Sequence, residues 1–210
     1  MEILEEAWEQ IHRHASALAQ MSAFPIWTEH GRWNTIGFES DEQGILPHHG
    51  SWMVGDLPAI LWFSSAAEAY AGAKNGRAEQ AVLWSGRLKN RTTLKSFASV
   101  GHMFFRGTLI GMTLGSASDL EPIALEAART VSDRFLEIGY MKSFGLPADT
   151  RFSFTTIDDV INLAVPLWLS RRTRDPELGT AAHDAISLLA DRLIRSDGST
   201  GQVLNFDLDN

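Results

Sequence analysis

Asp158 and Asp159 form a pair of adjacent carboxylates, and the carboxamide of Asn162 follows four residues after the first of them. Carboxylates can take up and release protons, and an amide beside them can orient a polar ligand through its donors and acceptor. The hydroxyls of Thr155 and Thr156 are expected to cap a helix here, with both acids in its first turn facing the positive end of the macrodipole. Counted from Asp158, Ile161, Asn162, Val165 and Leu169 recur at helical spacing, so Asp158 and Asn162 share a face near the N-terminal end. The first acid is thereby placed over an amide at the mouth of an apolar stripe. A second amphipathic helix and a polar turn, Asp197-Gly198-Ser199-Thr200, complete this stretch.

The elements that must position these groups are helical. Residues from about Glu2 to Gln20 are expected to form the first helix, with Ile3, Ala7, Ile11, His14 and Leu18 on a common stripe. Between Phe24 and Gly50 the chain is rich in Gly, Pro, Trp, Asn and His, with only short apolar alternations, which predicts a long irregular segment. A helix resumes near Ser51 and runs toward Tyr70, with Pro58 tolerable in its early turns. Three polar openers then precede Ala-rich helices. Lys74-Asn75-Gly76 stands before Ala78 to Leu88, Ser118-Asp119 before Pro122 to Leu136, and Arg174-Asp175-Pro176 before Thr180 to Ile194. Their spacing, about 44 and then about 56 residues, is the length of a helical hairpin plus a loop and points to stacked αα-hairpins. The whole is read as one all-α domain spanning residues 1–210, without sustained strand alternation.

Composition excludes several classes of function. A net charge of -8 without clustered Lys and Arg argues against a nucleic-acid surface. The absence of cysteine rules out disulfides and thiolate metal sites, and the pairs His12/His14 and His48/His49 lack metal-ligand spacing, so neither a metal nor another cofactor is expected. The N-terminal MEILEEAWEQIHRH has no apolar core of a signal peptide. The longest apolar run, from His102 to Gly115, is broken by Arg106 and is too short for a bilayer, so a cytoplasmic protein without a membrane partner is expected. Seven Trp and eleven Phe against two Tyr supply ring faces that serve a core as readily as a ligand.

The run Asp158-Asp159-Val160-Ile161-Asn162-Leu163, followed by Pro166-Leu167-Trp168, Arg174-Asp175-Pro176, Asp197-Gly198-Ser199-Thr200 and Phe206-Asp207, resembles the unsaturated glucuronyl hydrolases, glycoside hydrolase family 88. The likeness covers roughly the last sixty residues well and is looser from His48 to Gly145. It implies an (α/α)6 toroid of helical hairpins and a glycosidase that removes a 4,5-unsaturated glucuronate from the non-reducing end of an oligosaccharide. In that reaction an acid protonates C4 of the vinyl ether and water adds at C5. The resemblance implies Asp158 as the group that acts as acid toward C4 and base toward the water. It implies substrate contacts from Trp52, His102, Asn162, Trp168 and Gln202. A free Asp titrates near about 3.9, so acid work would require burial of Asp158 among Trp52, Trp168 and neighbouring rings.

The sequence departs from the family at three places. Gly50-Ser51-Trp52 stands for Gly-Phe-Trp, His102-Met103 stands for His-Asp, and Gln202 stands for a histidine. Methionine neither accepts a strong hydrogen bond nor orients a hydroxyl by charge. Arg106 and Arg151 have the forked donors that pair with a uronate carboxylate. Because the chain holds roughly half of such a toroid, it is expected to be a fragment of a longer protein or to pair with another subunit as a homo-oligomer. Two further readings stay open. One is an α-toroid glycosidase with a different substrate, and the other is a non-catalytic helical protein that binds glycans or partners, which Met103 favours.

Overall fold

The computed structural model describes residues 2–38, 51–72, 76–95, 99–135, 139–146, 151 and 153–206. Helices dominate: α1 (Glu2–Leu18), α2 (Asp56–Tyr70), α3 (Arg77–Gly86), α4 (Val100–Phe104), α5 (Ile110–Leu114), α6 (Glu121–Ser132), α7 (Asp159–Thr173) and α8 (Pro176–Leu193). A 3-10 turn at Ser51–Gly55 leads into α2, and a π-helical turn at Phe105–Leu109 joins α4 to α5. Strands β1 (Phe24–Glu29) and β2 (Arg32–Ile36) pair antiparallel, as do β3 (Phe154–Thr156) and β4 (Val203–Asn205). Contacts group the chain into two compact units, one formed by Met1–Asn90 with Arg106–Ile123, the other by Arg91–Phe105 with Ala124–Asn210.

The first unit corrects two expectations. Phe24 to Ile36 is a β-hairpin rather than irregular chain, built on the β-formers Ile26, Trp27, Thr28, Trp33, Thr35 and Ile36. His30 and Gly31 close it with φ of 48° and 73°, the positive values a tight hairpin turn demands. Its register slips between Pro25 and Trp27, next to the residue that has no N–H for the ladder. Residues 39–50, with His48, His49 and Gly50, lie outside the described residues. In α1, Ala7, Ile11 and His14 are exposed whereas Ala15 is buried, so the apolar stripe does not face the core. What holds α1 instead is the buried Arg77, whose Nη2 donates to the His12 carbonyl (3.2 Å) and to the Ser16 hydroxyl.

The core of this unit is aromatic. Trp62 is buried, its indole N–H donates to Ser85 Oγ at 2.9 Å, and α2 packs against α3 and α5 around it. α5 comes this close because Gly111 faces the ring: a Cβ there would fall 2.4 Å from the indole. Phe24, Phe38 and Trp84 meet edge to face, with the Arg87 guanidinium 4.1 Å from the Phe38 centroid and 4.4 Å from that of Trp84.

In the second unit, α7 and α8 form the hairpin that the Arg174-Asp175-Pro176 opener predicts. Arg174 takes a left-handed conformation (φ 58°), Asp175 caps α8 by accepting from the Leu178 N–H at 3.0 Å, and Pro176 occupies the first helical position. Leu163, Val165, Ala182, Ala185 and Leu189 fill the interior. Pro166 cannot donate to the Asn162 carbonyl four residues back. α4 approaches at that point through Gly101, whose added Cβ would sit 2.6 Å from Asn162 Cα. Among the described residues, no helix is long and apolar enough to cross a membrane.

Gly111→Ala is expected to lower unfolding free energy by about 1–3 kcal/mol, because the methyl must displace the Trp62 indole. Gly86→Ala meets no heavy atom within 4 Å and is expected to raise it by about 0.4–1 kcal/mol. Urea titration followed by circular dichroism checks both. Equal effects of the two substitutions would contradict this account of the packing.

Candidate active site

The start of α7 is organised by the second of the two acids. Thr155 and Thr156 belong to β3 and do not cap the helix as acceptors; they donate to Asp159. Asp159 is 1% exposed, and its Oδ2 accepts from the Thr156 N–H (2.9 Å), the Thr155 hydroxyl (2.9 Å) and the Ser143 hydroxyl. Its Oδ1 accepts from the Asn162 side-chain amide at 2.9 Å. Asn162 Oδ1 in turn accepts from the His102 N–H at 2.8 Å, and His102 Nε2 donates to the Asp158 carbonyl at 2.7 Å. A closed polar circuit therefore runs from Asp159 through Asn162 and His102 to the backbone of Asp158.

A buried cation lies in the same unit. Arg134, 1% exposed, donates to the carbonyls of Lys142 (2.8 Å), Lys95 (2.5 Å) and Gly145 (3.2 Å). Burial pulls its guanidinium down to about 10, and the negative charge of Asp159 opposes that fall, so it keeps its proton at neutral pH.

Of the residues singled out in the sequence, Asp158, Asn162 and His102 come together. Asp158 takes the N-cap position of α7, but its side chain makes no capping bond and is exposed, not buried among rings. The inward direction belongs to Asp159, since successive side chains diverge by about 100° around a helix. Gln202 is exposed, and its carbonyl accepts from the Ile157 N–H at 3.0 Å, which ties the chain before β4 to the residue preceding Asp158. Trp168 is not part of this cluster. It lies ten residues further along α7, about 15 Å from Asp158 at 1.5 Å per residue, and is half-buried.

Trp52 and Arg106 meet in the first unit, with the guanidinium 5.1 Å from the indole centroid. There Arg106 Nη1 donates to Asp56 Oδ1 at 2.5 Å, a partner that the sequence reading missed. An acid opening the helix that follows Trp52 was the available signal. Arg151 is exposed, and Met103 is fully buried. Asp197 accepts from the N–H (2.9 Å) and hydroxyl (2.7 Å) of Ser199, which hold its carboxyl below the usual range in an exposed turn that Arg195 also ties through the Ser199 hydroxyl and carbonyl. No group of His, Asp and Glu among the described residues could hold a metal ion.

The helices match the helical-toroid fold of solved unsaturated glucuronyl hydrolases. The structure superposes on an unsaturated glucuronyl hydrolase specific for heparin with a TM-score of 0.80 at 18% identity, covering 97% of this chain and 52% of that one. The enzyme from Bacillus sp. GL1, responsible for the degradation of glycosaminoglycan, gives a TM-score of 0.74 at 20% identity, covering 97% and 53%. A complex of such an enzyme with dGlcA-Glc-Rha-Glc gives 0.76 at 20% identity, covering 97% and 51%. The chain thus has the fold of the unsaturated glucuronyl hydrolases and spans about half the length of the structures it matches. No protein-family model and no curated protein sequence matches it.

The two neighbouring acids are expected to behave oppositely in unfolding experiments. Asp159→Asn places an NH2 group among donors and should cost about 1.5–3 kcal/mol or more, the worth of hydrogen bonds to a charged group. Asp158→Asn, on an exposed side chain, should stay within about 0.5 kcal/mol of the parent. Urea melts of both variants measure this, and a larger loss for Asp158→Asn would refute the assignment of the buried acid.

Proposed function

We propose that this chain forms part of a glycoside hydrolase acting on oligosaccharides that end in a 4,5-unsaturated glucuronate, with Asp158 as its acid and base. The observation that carries the reading is the exposed carboxyl of Asp158 at a helix start whose main-chain carbonyl His102 holds, on a fold shared with unsaturated glucuronyl hydrolases. Its neighbour Asp159 is buried and accepts from five donors of the fold, counting both Thr156 donors separately, four of them on Oδ2 and one on Oδ1.

In the proposed reaction the Asp158 proton passes to C4, using the electron pair of the C4–C5 double bond. Positive charge then develops at C5 and its ring oxygen. The Asp158 carboxylate takes a proton from water as the water oxygen bonds to C5, so the group returns to its starting state and one water is consumed. The hemiketal opens to a C5 ketone with cleavage of the bond to the ring oxygen, and the leaving sugar departs from C1. A substrate seated over Asp158 excludes water from the carboxyl and favours its neutral, proton-carrying form. Asn162 and His102 hold the chain around Asp158, and Gln202 of the same unit is assigned to substrate contact.

Hydrolysis is assigned to the assembly this chain completes, whether with further sequence of a longer protein or with a second copy. A second reading, glycan binding without turnover, is favoured by Met103, a fully buried thioether where the resembled family has an aspartate. Loss of absorbance from the conjugated double bond, measured with unsaturated chondroitin and heparin disaccharides, separates the two. Asp158→Asn is expected to slow turnover by roughly 10²–10⁴-fold while leaving binding intact, as removal of a general acid–base does. Binding without any absorbance loss in the parent protein would select the second reading, and undiminished turnover in Asp158→Asn would refute the mechanism.

A further inference from the structure

The first unit contains a cavity of about 360 Å³ between α1 and the C-terminal turns of α2, within the size range of small-molecule sites. Trp8, Glu9, His12 and Arg13 line it from α1, two turns of one helix face, and Glu68 lines it from α2. Ala67 and Ala71 flank Glu68 and keep that wall low. None of these residues belongs to the cluster around Asp158.

Glu68 is the anomaly. It is 7% exposed, yet its buried Oε1 accepts no hydrogen bond. His12 Nε2 lies 3.4 Å and Arg77 Nε 3.7 Å from that oxygen, near enough to offset its charge but without bonding geometry. The buried Nδ1 of His12 and Nε of Arg77 are likewise without partners. A buried carboxylate left in this condition costs free energy that a donor arriving from the cavity would recover.

The formal charges around the cavity pair off: Glu9 and Arg13 stand four apart on α1, the spacing at which opposite charges offset one another, and Arg77 faces Glu68 at 3.7 Å. No net field favours an ion of either sign. What remains is an indole wall, Trp8 at 36% exposure with its ring 6.0 Å from that of His12, beside carboxylate acceptors and a guanidinium donor. A flat apolar face next to mixed donors and acceptors matches a ring with C–H groups on its faces and hydroxyls around its edge.

The geometry points to a binding site for a neutral pyranose in this cavity, with the sugar face on Trp8, a hydroxyl donating to Glu68 and Arg13 donating to a sugar oxygen. The site stands on the cavity alone and is independent of the reaction assigned to Asp158.

The test is saturation-transfer NMR and calorimetric titration of the 210-residue chain with the methyl glycosides of glucose, galactose and N-acetylglucosamine, beside choline and methyl glucuronide as cationic and anionic probes. A neutral glycoside is expected to bind best. Trp8→Ala and Arg13→Ala, both on the exposed side of α1, should each weaken it roughly tenfold or more, the worth of one stacking or charged contact. Glu68→Gln should do the same, and if its circular dichroism shows a lost fold, the two α1 variants decide. Asp158→Asn should bind as the parent does. Preferred binding of choline or methyl glucuronide, no binding of any probe, or binding that survives Trp8→Ala and fails in Asp158→Asn would each overturn the proposal.

Discussion

A buried carboxylate costs free energy unless donors of the fold replace its lost hydration. Asp159 meets that demand by drawing donors from three separate segments: Ser143 before β3, Thr155 and Thr156 within β3, and Asn162 one turn along α7. Asn162, held by that bond, presents its oxygen to the His102 N–H and so fixes α4. The inward commitment of Asp159 also determines where Asp158 points. Rotation of about 100° per residue sends the preceding side chain outward, and the His102 bond to the Asp158 carbonyl holds the backbone there. The exposure of the candidate acid is therefore a consequence of the burial of its neighbour.

Arg134 is the counterpart of this arrangement. Its three donated bonds go to main-chain carbonyls, which satisfy the fork without an ion pair and stitch Lys95, Lys142 and Gly145 to the end of α6. Asp159 contributes through space, opposing the fall in the guanidinium's proton affinity that burial causes. Each charge is solvated by neutral dipoles and steadied by the other at a distance. Such a layout tolerates little change in loop geometry, since the three carbonyls come from two separate segments of chain.

Much of the helical plan is legible in the sequence because it rests on local chemistry. The Asp175 cap, Pro176 at the first helical position and the Ala-rich face of α8 are decided within a few residues. The errors fall where the deciding partner is remote. Nothing near Asp158 and Asp159 says which is buried; that is settled in part by Ser143, sixteen residues away. The stripe assigned to α1 fails because Arg77, from α3, grips the helix through the His12 carbonyl and Ser16 instead of through apolar packing. The hairpin at Phe24–Ile36 is masked by its turn, where His30-Gly31 replaces the Asn-Gly or Asp-Gly that announces such a connection.

Met103 takes its meaning from the same charge balance. It is fully buried on α4, the helix that packs against α7 and carries His102. Among the described residues of this unit, Asp159 is the one buried acid, and Arg91, Arg134 and Lys142 are buried cations. A second carboxylate at position 103 would be a further buried charge and would need donors of its own. A thioether fills the space without that demand and packs as an adaptable apolar chain. The buried acid of this unit therefore sits on α7, and Met103 adds no charge to α4. Asp159, Asn162 and His102 thus form the buried support behind the start of α7, from which the Asp158 side chain faces outward.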